Sequence, residues 1–328
     1  MKKSIFLSFI LCLCLVACIP QQAMAQKQSR MEKLLRYLND NDADKWQKNR
    51  EKLDDETKAY YAEDLSLMDV LNDLWNGQSE QAATLYFGCY EKAAQNNFPS
   101  ICEGEKIPLS QIRDKADQSI INLLEASKDK IPFSRALLDS IHATEYPVDS
   151  AMLQRLQNIR EVALLEGMLK APTPIIYQTY VKEYPNGKFI AQVNASENVR
   201  LYQLVKTTPT PENFKAFFED PEMQKYYQDR GPRPYLAEVR TLYDDFLFQR
   251  IDSLKKEGNA TAIRQIIDDY KNTPYLATGA RTHLNDLEYL SEKADFELLK
   301  PAIVNSESLG LLQEFLKPHK YKEFRDHA

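Results

Sequence analysis

Glycine is scarce, nine in 328 residues, and runs that alternate apolar with polar residues are almost missing. Strands need turn punctuation and a period of two, so their lack excludes a β-rich chain and leaves helices throughout. Histidine is scarce too. His142, His283, His319 and His327 have no partner four residues on and lie in no His-Glu-x-x-His pattern, which excludes a metal site recognisable by spacing. A glycine-rich phosphate loop and a Gly-x-Ser-x-Gly nucleophile turn are also missing. The chain therefore reads as a non-enzyme with no catalytic, cofactor-binding or metal-binding residues. Neighbouring acids such as Asp244-Asp245 and Asp268-Asp269 do not alter this, because consecutive residues on a helix do not face one another.

Basic charge falls short of acidic, 42 Lys and Arg against 48 Asp and Glu, for a net charge of −6. Nucleic-acid phosphates and anionic lipid surfaces demand clustered Lys and Arg, so neither is an expected partner. A long apolar run occurs once, from Ile5 to Ile19, between Lys2-Lys3 and a polar stretch ending in Ala23-Met24-Ala25. These are the charged, apolar and cleavage regions of a secretory signal over residues 1–25, with Gln26 as the mature start. Leu15-Val16-Ala17-Cys18 also resembles a bacterial lipobox, which makes Cys18 a candidate for lipidation. On either reading the protein is exported, as a periplasmic protein or membrane-anchored lipoprotein of a Gram-negative-type bacterium. No later segment approaches the roughly 20 apolar residues of a membrane span, so attachment would run through Cys18 or a partner.

Cysteine is rare beyond that leader. Of five, only Cys89 and Cys102 lie after it, and in an oxidising compartment they are candidates for a disulfide around Asn96-Asn97-Phe98-Pro99. So short a ring contributes on the order of 3 kcal/mol by loop-closure entropy. Two buried thiols are the other reading.

Proline and small polar residues mark the helix starts. Thr173-Pro174 and Thr210-Pro211 offer a capping oxygen followed by proline at the first helical position, and Asp149-Ser150 offers a third start. Prolines 108, 132, 147, 172, 209, 232 and 301 cut the chain into helices of ordinary length. Helices are expected from Asp64 to Trp75 and from Ser79 to Gln95, around Asn76-Gly77. In the second of these, Ala82 and Ala93 let neighbouring backbones approach and Tyr86 fills the groove between them.

A repeat occupies the C-terminal half. Adding 86 to Tyr177, Tyr180, Tyr184, Phe189, Ala191, Leu201 and Leu204 gives Ile263, Ile266, Tyr270, Tyr275, Ala277, Leu287 and Leu290, all apolar or aromatic. A copy lies between: Phe214 and Phe217 follow Tyr177 and Tyr180 by 37 residues, whereas Tyr235, Ala237 and Leu247 follow their counterparts by 46. The nine-residue excess is expected to form a loop around Gln228-Asp229-Arg230-Gly231-Pro232. A fourth, shorter copy carries Leu312, Phe315 and Phe324. Each unit reads as a short aromatic helix, a turn and a longer helix, spelled out first as Tyr177-Gln178-Thr179-Tyr180-Val181-Lys182-Glu183-Tyr184-Pro185-Asn186-Gly187-Lys188-Phe189. One hairpin cannot bury its own apolar face, but stacked neighbours share a core.

This pattern resembles the degenerate tetratricopeptide-like repeats of bacterial envelope proteins, including outer-membrane assembly lipoproteins. The resemblance covers about residues 173–328, and the other copies depart from it in lacking a proline after the tyrosine. It implies an all-α, solenoid-like array over 173–328; residues 26–145 show helices without that period and read as an N-terminal helical domain, joined to the array by a connecting helix over 146–172.

Tyr60-Tyr61 and Tyr226-Tyr227 are adjacent pairs whose rings point about 100° apart on a helix, so one of each pair leaves the core face. The insertion from Glu222 to Pro234 holds Tyr226 and Tyr227 and is the favoured binding face. Leu312, Phe315 and Phe324 form an open apolar edge for a partner. The expected function is that of a non-catalytic scaffold or adaptor binding another envelope protein or peptide. The alternative is a carbohydrate-binding protein or enzyme, with Trp46 and Trp75 as the strongest platforms for sugar rings.

Overall fold

The computed structural model describes residues 23–272 apart from 77, 78, 105, 106, 258 and 259, together with 289, 291–293 and 296. Cys18 and the leader before residue 23 lie outside the described residues, as do Leu312, Phe315 and Phe324. The described residues form helices and no strand, as the missing period-two runs require. Helix α1 covers residues 23–39. It is followed by α2 (Ala43–Glu51), α3 (Asp55–Tyr60), α4 (Ala62–Asn76), α5 (Glu80–Gln95), α6 (Phe98–Gly104), α7 (Leu109–Ala126) and α8 (Lys130–His142). Then come α9 (Ser150–Lys170), α10 (Pro174–Glu183), α11 (Ile190–Thr207), α12 (Pro211–Glu219), α13 (Pro221–Tyr227), α14 (Leu236–Lys256) and α15 (Ala260–Asn272). The chain forms two compact units that divide between Gly167 and Met168, in the last turn of α9.

Side-chain oxygens set many of the helix starts. Thr173 and Thr210 accept from the backbone N–H of Ile176 and Asn213, and Pro174 and Pro211 fill positions whose N–H has no helical partner. Asp42, Asp54, Ser79 and Asp220 cap α2, α3, α5 and α13 in the same way. Each such cap contributes about 1 kcal/mol. The break expected at Pro132 falls instead inside the first turn of α8, where a missing N–H removes no hydrogen bond. The ring expected around Phe98-Pro99 is the helix α6 for the same reason.

The N-terminal unit is organised on α5, which packs against α4, α6, α7 and α8. Ala82, Tyr86 and Ala93 are buried there, so small residues do allow close helix approach. Tyr146, in the irregular segment between α8 and α9, inserts its ring among Tyr86, Phe87 and Tyr90 at centroid distances of 5.4, 4.9 and 5.1 Å. All three contacts are edge-to-face, a geometry that adds roughly 0.5–1.5 kcal/mol per pair beyond area burial. The Tyr146 hydroxyl donates to Asp117 of α7 and lies 3.3 Å from the Tyr86 hydroxyl. One residue outside any helix thereby joins α5 to α7.

In the C-terminal unit α10 packs on α11, α11 on α12 and α14, and α14 on α15. Tyr177, Tyr180, Phe214, Phe217 and Ile263 are buried, and Ile266 packs partly buried against Leu247, Ile251 and Ile267. The Tyr180 hydroxyl accepts from the backbone N–H of Phe189, which fixes the turn between α10 and α11. The insertion is not only a loop. Asp220 caps it and Pro221 opens it, so its first half winds into α13, with Met223 fully buried beneath.

Replacing Tyr146 by Phe keeps the ring contacts and removes the hydroxyl, leaving Tyr86 and Asp117 without that partner. Urea unfolding of Tyr146→Phe is expected to show a loss of about 1–3 kcal/mol.

Candidate binding cavities of the C-terminal unit

Two cavities flank α12 and α13, and both walls include Pro221. The first encloses about 570 Å³, and its wall carries Glu197, Glu212, Glu219, Asp220 and Glu222 against Arg200 and Lys215. Glu197 is buried on α11 and paired with Arg200 through two bonds of 2.6 and 2.8 Å. Beside it, the Tyr177 hydroxyl donates to Asn194 at 3.0 Å, and burial holds that phenol well above its ordinary pKa. This wall is acidic, but its innermost carboxylate is already neutralised by Arg200.

The second cavity encloses about 720 Å³ and is built mainly by the insertion. Among the described residues its wall carries Lys225, Arg233 and Arg240 and no carboxylate, with Phe218, Met223, Tyr227 and Leu236 supplying apolar surface. Arg233 is the centre of the wall. Its Nε donates to Asn198 Oδ1 at 2.6 Å, its Nη1 donates to the carbonyl of Phe217, and the guanidinium stacks on the Phe217 ring at 3.9 Å. Asn198 completes the clamp by donating to the carbonyl of Pro234 at 3.2 Å.

Burial pulls the Arg233 guanidinium below its ordinary pKa, against the opposing pull of Asp220. Both Arg233 Nη2 and Arg240 Nε are buried donors with no hydrogen-bond acceptor. None of Lys225, Arg233 and Arg240 makes an ion pair with another described residue.

Backbone geometry lets the insertion turn back on itself. Gly231 has φ +95°, a conformation that an L side chain adopts only with strain, although space for a Cβ is open. Tyr235 has φ +65° without being glycine, and its ring stacks on Tyr202 at 4.3 Å with an interplanar angle of 12°. The Tyr202 hydroxyl donates to Glu238 and accepts from Lys206 at 3.2 Å, which holds the stacking platform in place.

The residues expected to bind a partner separate here. Tyr227 lines the cationic cavity, and burial raises its pKa. Tyr226 meets Tyr227 edge-to-face at 5.0 Å but does not line that cavity, and the guanidinium of Arg230 covers its ring at 4.4 Å. Lys225, Arg233 and Arg240 escaped the sequence reading, although Arg230-Gly231-Pro232-Arg233-Pro234 places two arginines among turn residues in an acidic chain. Cys89 and Cys102 are two thiols, not the expected disulfide. The Cys89 sulfur lies 3.6 Å from Ser66 Oγ of α4, while Cys102 is buried in the core on α6.

The N-terminal unit holds a different set of polar groups. Asp64 of α4 is 0% exposed, neither of its oxygens has a hydrogen-bond partner, and burial raises its pKa to about 7. Burial likewise raises Asp117 to about 6, against the lowering effects of Tyr146 and Arg113. Neither acid lines either cavity. Trp46 is buried, and Lys115 covers one face of Trp75 at 3.9 Å, so neither tryptophan is the open sugar platform expected of it. No group of three metal-ligating side chains occurs among the described residues, and no described helix is long and apolar enough to cross a membrane. Comparison with known proteins finds no family model, no curated protein and no solved structure that matches the chain.

Two outcomes follow from this polar inventory. Asn198→Ala strips acceptors and donors from Arg233 and Pro234 together, so chemical denaturation is expected to show a loss of about 2–4 kcal/mol, with amides of residues 220–235 losing hydrogen-exchange protection first. The second concerns pH. Unfolded, Asp64 and Asp117 release their protons near 3.8, whereas folded they hold them to about 7 and about 6. The folded N-terminal unit therefore binds more protons across that window, and its stability falls as pH rises from about 4 to 7. Asp64→Asn is expected to flatten that fall, by up to about 3 kcal/mol between pH 5 and pH 8, in thermal unfolding followed at both.

Proposed function

We propose that the protein is an exported, non-catalytic scaffold whose C-terminal helices form a tetratricopeptide-like array for another protein of the cell envelope. The observation that carries this reading is the shared burial at one sequence register. Tyr177 and Tyr180 on α10, Phe214 and Phe217 on α12, and Ile263 on α15 are all buried, each on a short helix packed against a longer one. Such a repeat leaves each unit dependent on its neighbours for its core, and insertions between units collect on one face where a partner binds. The cavity built by the 222–234 insertion is the contact point on that face. The leader over residues 1–25 supplies export, by cleavage before Gln26 or by acylation of Cys18.

Mild crosslinking of the intact protein in envelope extracts, followed by affinity purification, tests this reading. One stoichiometric envelope partner is expected, reduced at least tenfold when residues 222–234 are replaced by a short Gly-Ser linker. Mass spectrometry of the same sample is expected to find the mature chain starting at Gln26 or at an acylated Cys18. Recovery of no partner from the wild-type chain rejects the scaffold.

A further inference from the structure

We propose that the cavity walled by Lys225, Arg233 and Arg240 binds a carboxylate-rich segment of polypeptide, so that the partner docks through an acidic peptide. The inference rests on the scaffold reading and names the chemistry of its contact. Three cations share one wall that holds no carboxylate among the described residues, in a chain whose net charge is −6. The two acids closest in effect to Arg233 do not answer it. Glu197 is held by Arg200, Asp220 caps α13 by accepting from Met223 N–H, and both line the other cavity.

The second observation is the pair of buried N–H donors that lack acceptors, Arg233 Nη2 and Arg240 Nε. A buried donor left unmet is unfavourable, and a carboxylate that meets it gains a charge-assisted bond in the fork geometry arginine presents. Both belong to side chains of the cavity wall, and a rotation that turns them toward the cavity breaks no hydrogen bond of these two atoms among the described residues. Size and lining select a peptide over a bare anion. At about 720 Å³ the cavity lies in the range of organic-ligand sites, and Phe218, Met223 and Leu236 offer apolar surface that the stems of acidic side chains cover and inorganic phosphate does not.

Fluorescence anisotropy on the full-length protein, with a rhodamine-labelled hexaglutamate peptide, its hexaglutamine counterpart and inorganic phosphate as competitor, tests the assignment. Hexaglutamate is expected to bind at least roughly tenfold tighter than hexaglutamine, and to weaken with added salt. The double variant Lys225→Gln, Arg240→Gln leaves the Arg233 clamp intact and is expected to weaken hexaglutamate binding at least roughly tenfold with unchanged helical circular dichroism. Arg233→Lys, which keeps the charge and loses the fork, is expected to fall between the two. Equal affinity for both peptides, no binding of hexaglutamate, or full affinity in the double variant overturns the proposal. Displacement by phosphate below millimolar concentration overturns it in favour of a free-phosphate site. The scaffold reading fails separately: if the double variant still captures the crosslinked envelope partner at the wild-type level, the acidic contact is wrong and the scaffold stands. Failure of the wild-type chain to capture any partner rejects the scaffold instead.

Discussion

A guanidinium withdrawn from water needs acceptors on every side, and the fold around the insertion is arranged to give Arg233 most of them. Asn198 reaches it from α11, the Phe217 carbonyl from α12, and the Phe217 ring stacks against its plane. Asn198 also holds the carbonyl of Pro234, so one amide side chain secures both the arginine and the strand of chain that carries it. With those contacts made, the insertion cannot drift as a free loop. Residues 228–235 are tied back to α11 and α12, and the space left beneath them is the cationic cavity.

The same arrangement sorts charge across α12 and α13. Carboxylates collect at one cavity and unpaired cations at the other, with Pro221 between. For an acidic chain this matters more than its net charge suggests. At physiological salt, charges more than about 8 Å away are largely screened, so an acidic segment near the second cavity feels Lys225, Arg233 and Arg240 rather than the chain's overall negative balance.

How much of this was legible in the sequence depends on whether a feature is local. Thr173-Pro174 and Thr210-Pro211 specify their caps within four residues, and both form. The aromatic register of the short helices was readable because burial on a helix recurs with its own period, and Tyr177, Phe214 and Ile263 are buried accordingly. Pro132 misled, since a proline just inside a helix and one that ends it look alike until the helix start is known. The clamp was not legible: Asn198 and Arg233 stand 35 residues apart, and nothing in either one's neighbourhood marks the other. Asp117 and Tyr146 are similarly distant, and an aspartate on an ordinary helical stretch does not announce that a tyrosine from an irregular segment will bury it.

Both units bury unmatched polar groups, Asp64 and Arg113 Nε in the N-terminal one and Arg233 Nη2 and Arg240 Nε in the C-terminal one, and the chemistry of each group decides what can relieve it. Asp64 lies inside the N-terminal unit with both oxygens unmatched, and a carboxyl in that position lowers its cost by keeping its proton. The remedy is internal and depends on pH alone. Arginine has no such remedy near neutrality, because its guanidinium stays protonated even when burial lowers its pKa. The unmatched donors of Arg233 and Arg240 belong to side chains in the wall of a cavity large enough to admit an external acceptor. A carboxyl relieved by protonation needs no ligand, whereas an arginine donor beside a cavity gains a charge-assisted bond from an incoming carboxylate, and it is the cavity that makes the difference, since neither Arg113 nor Trp46 lines either described one.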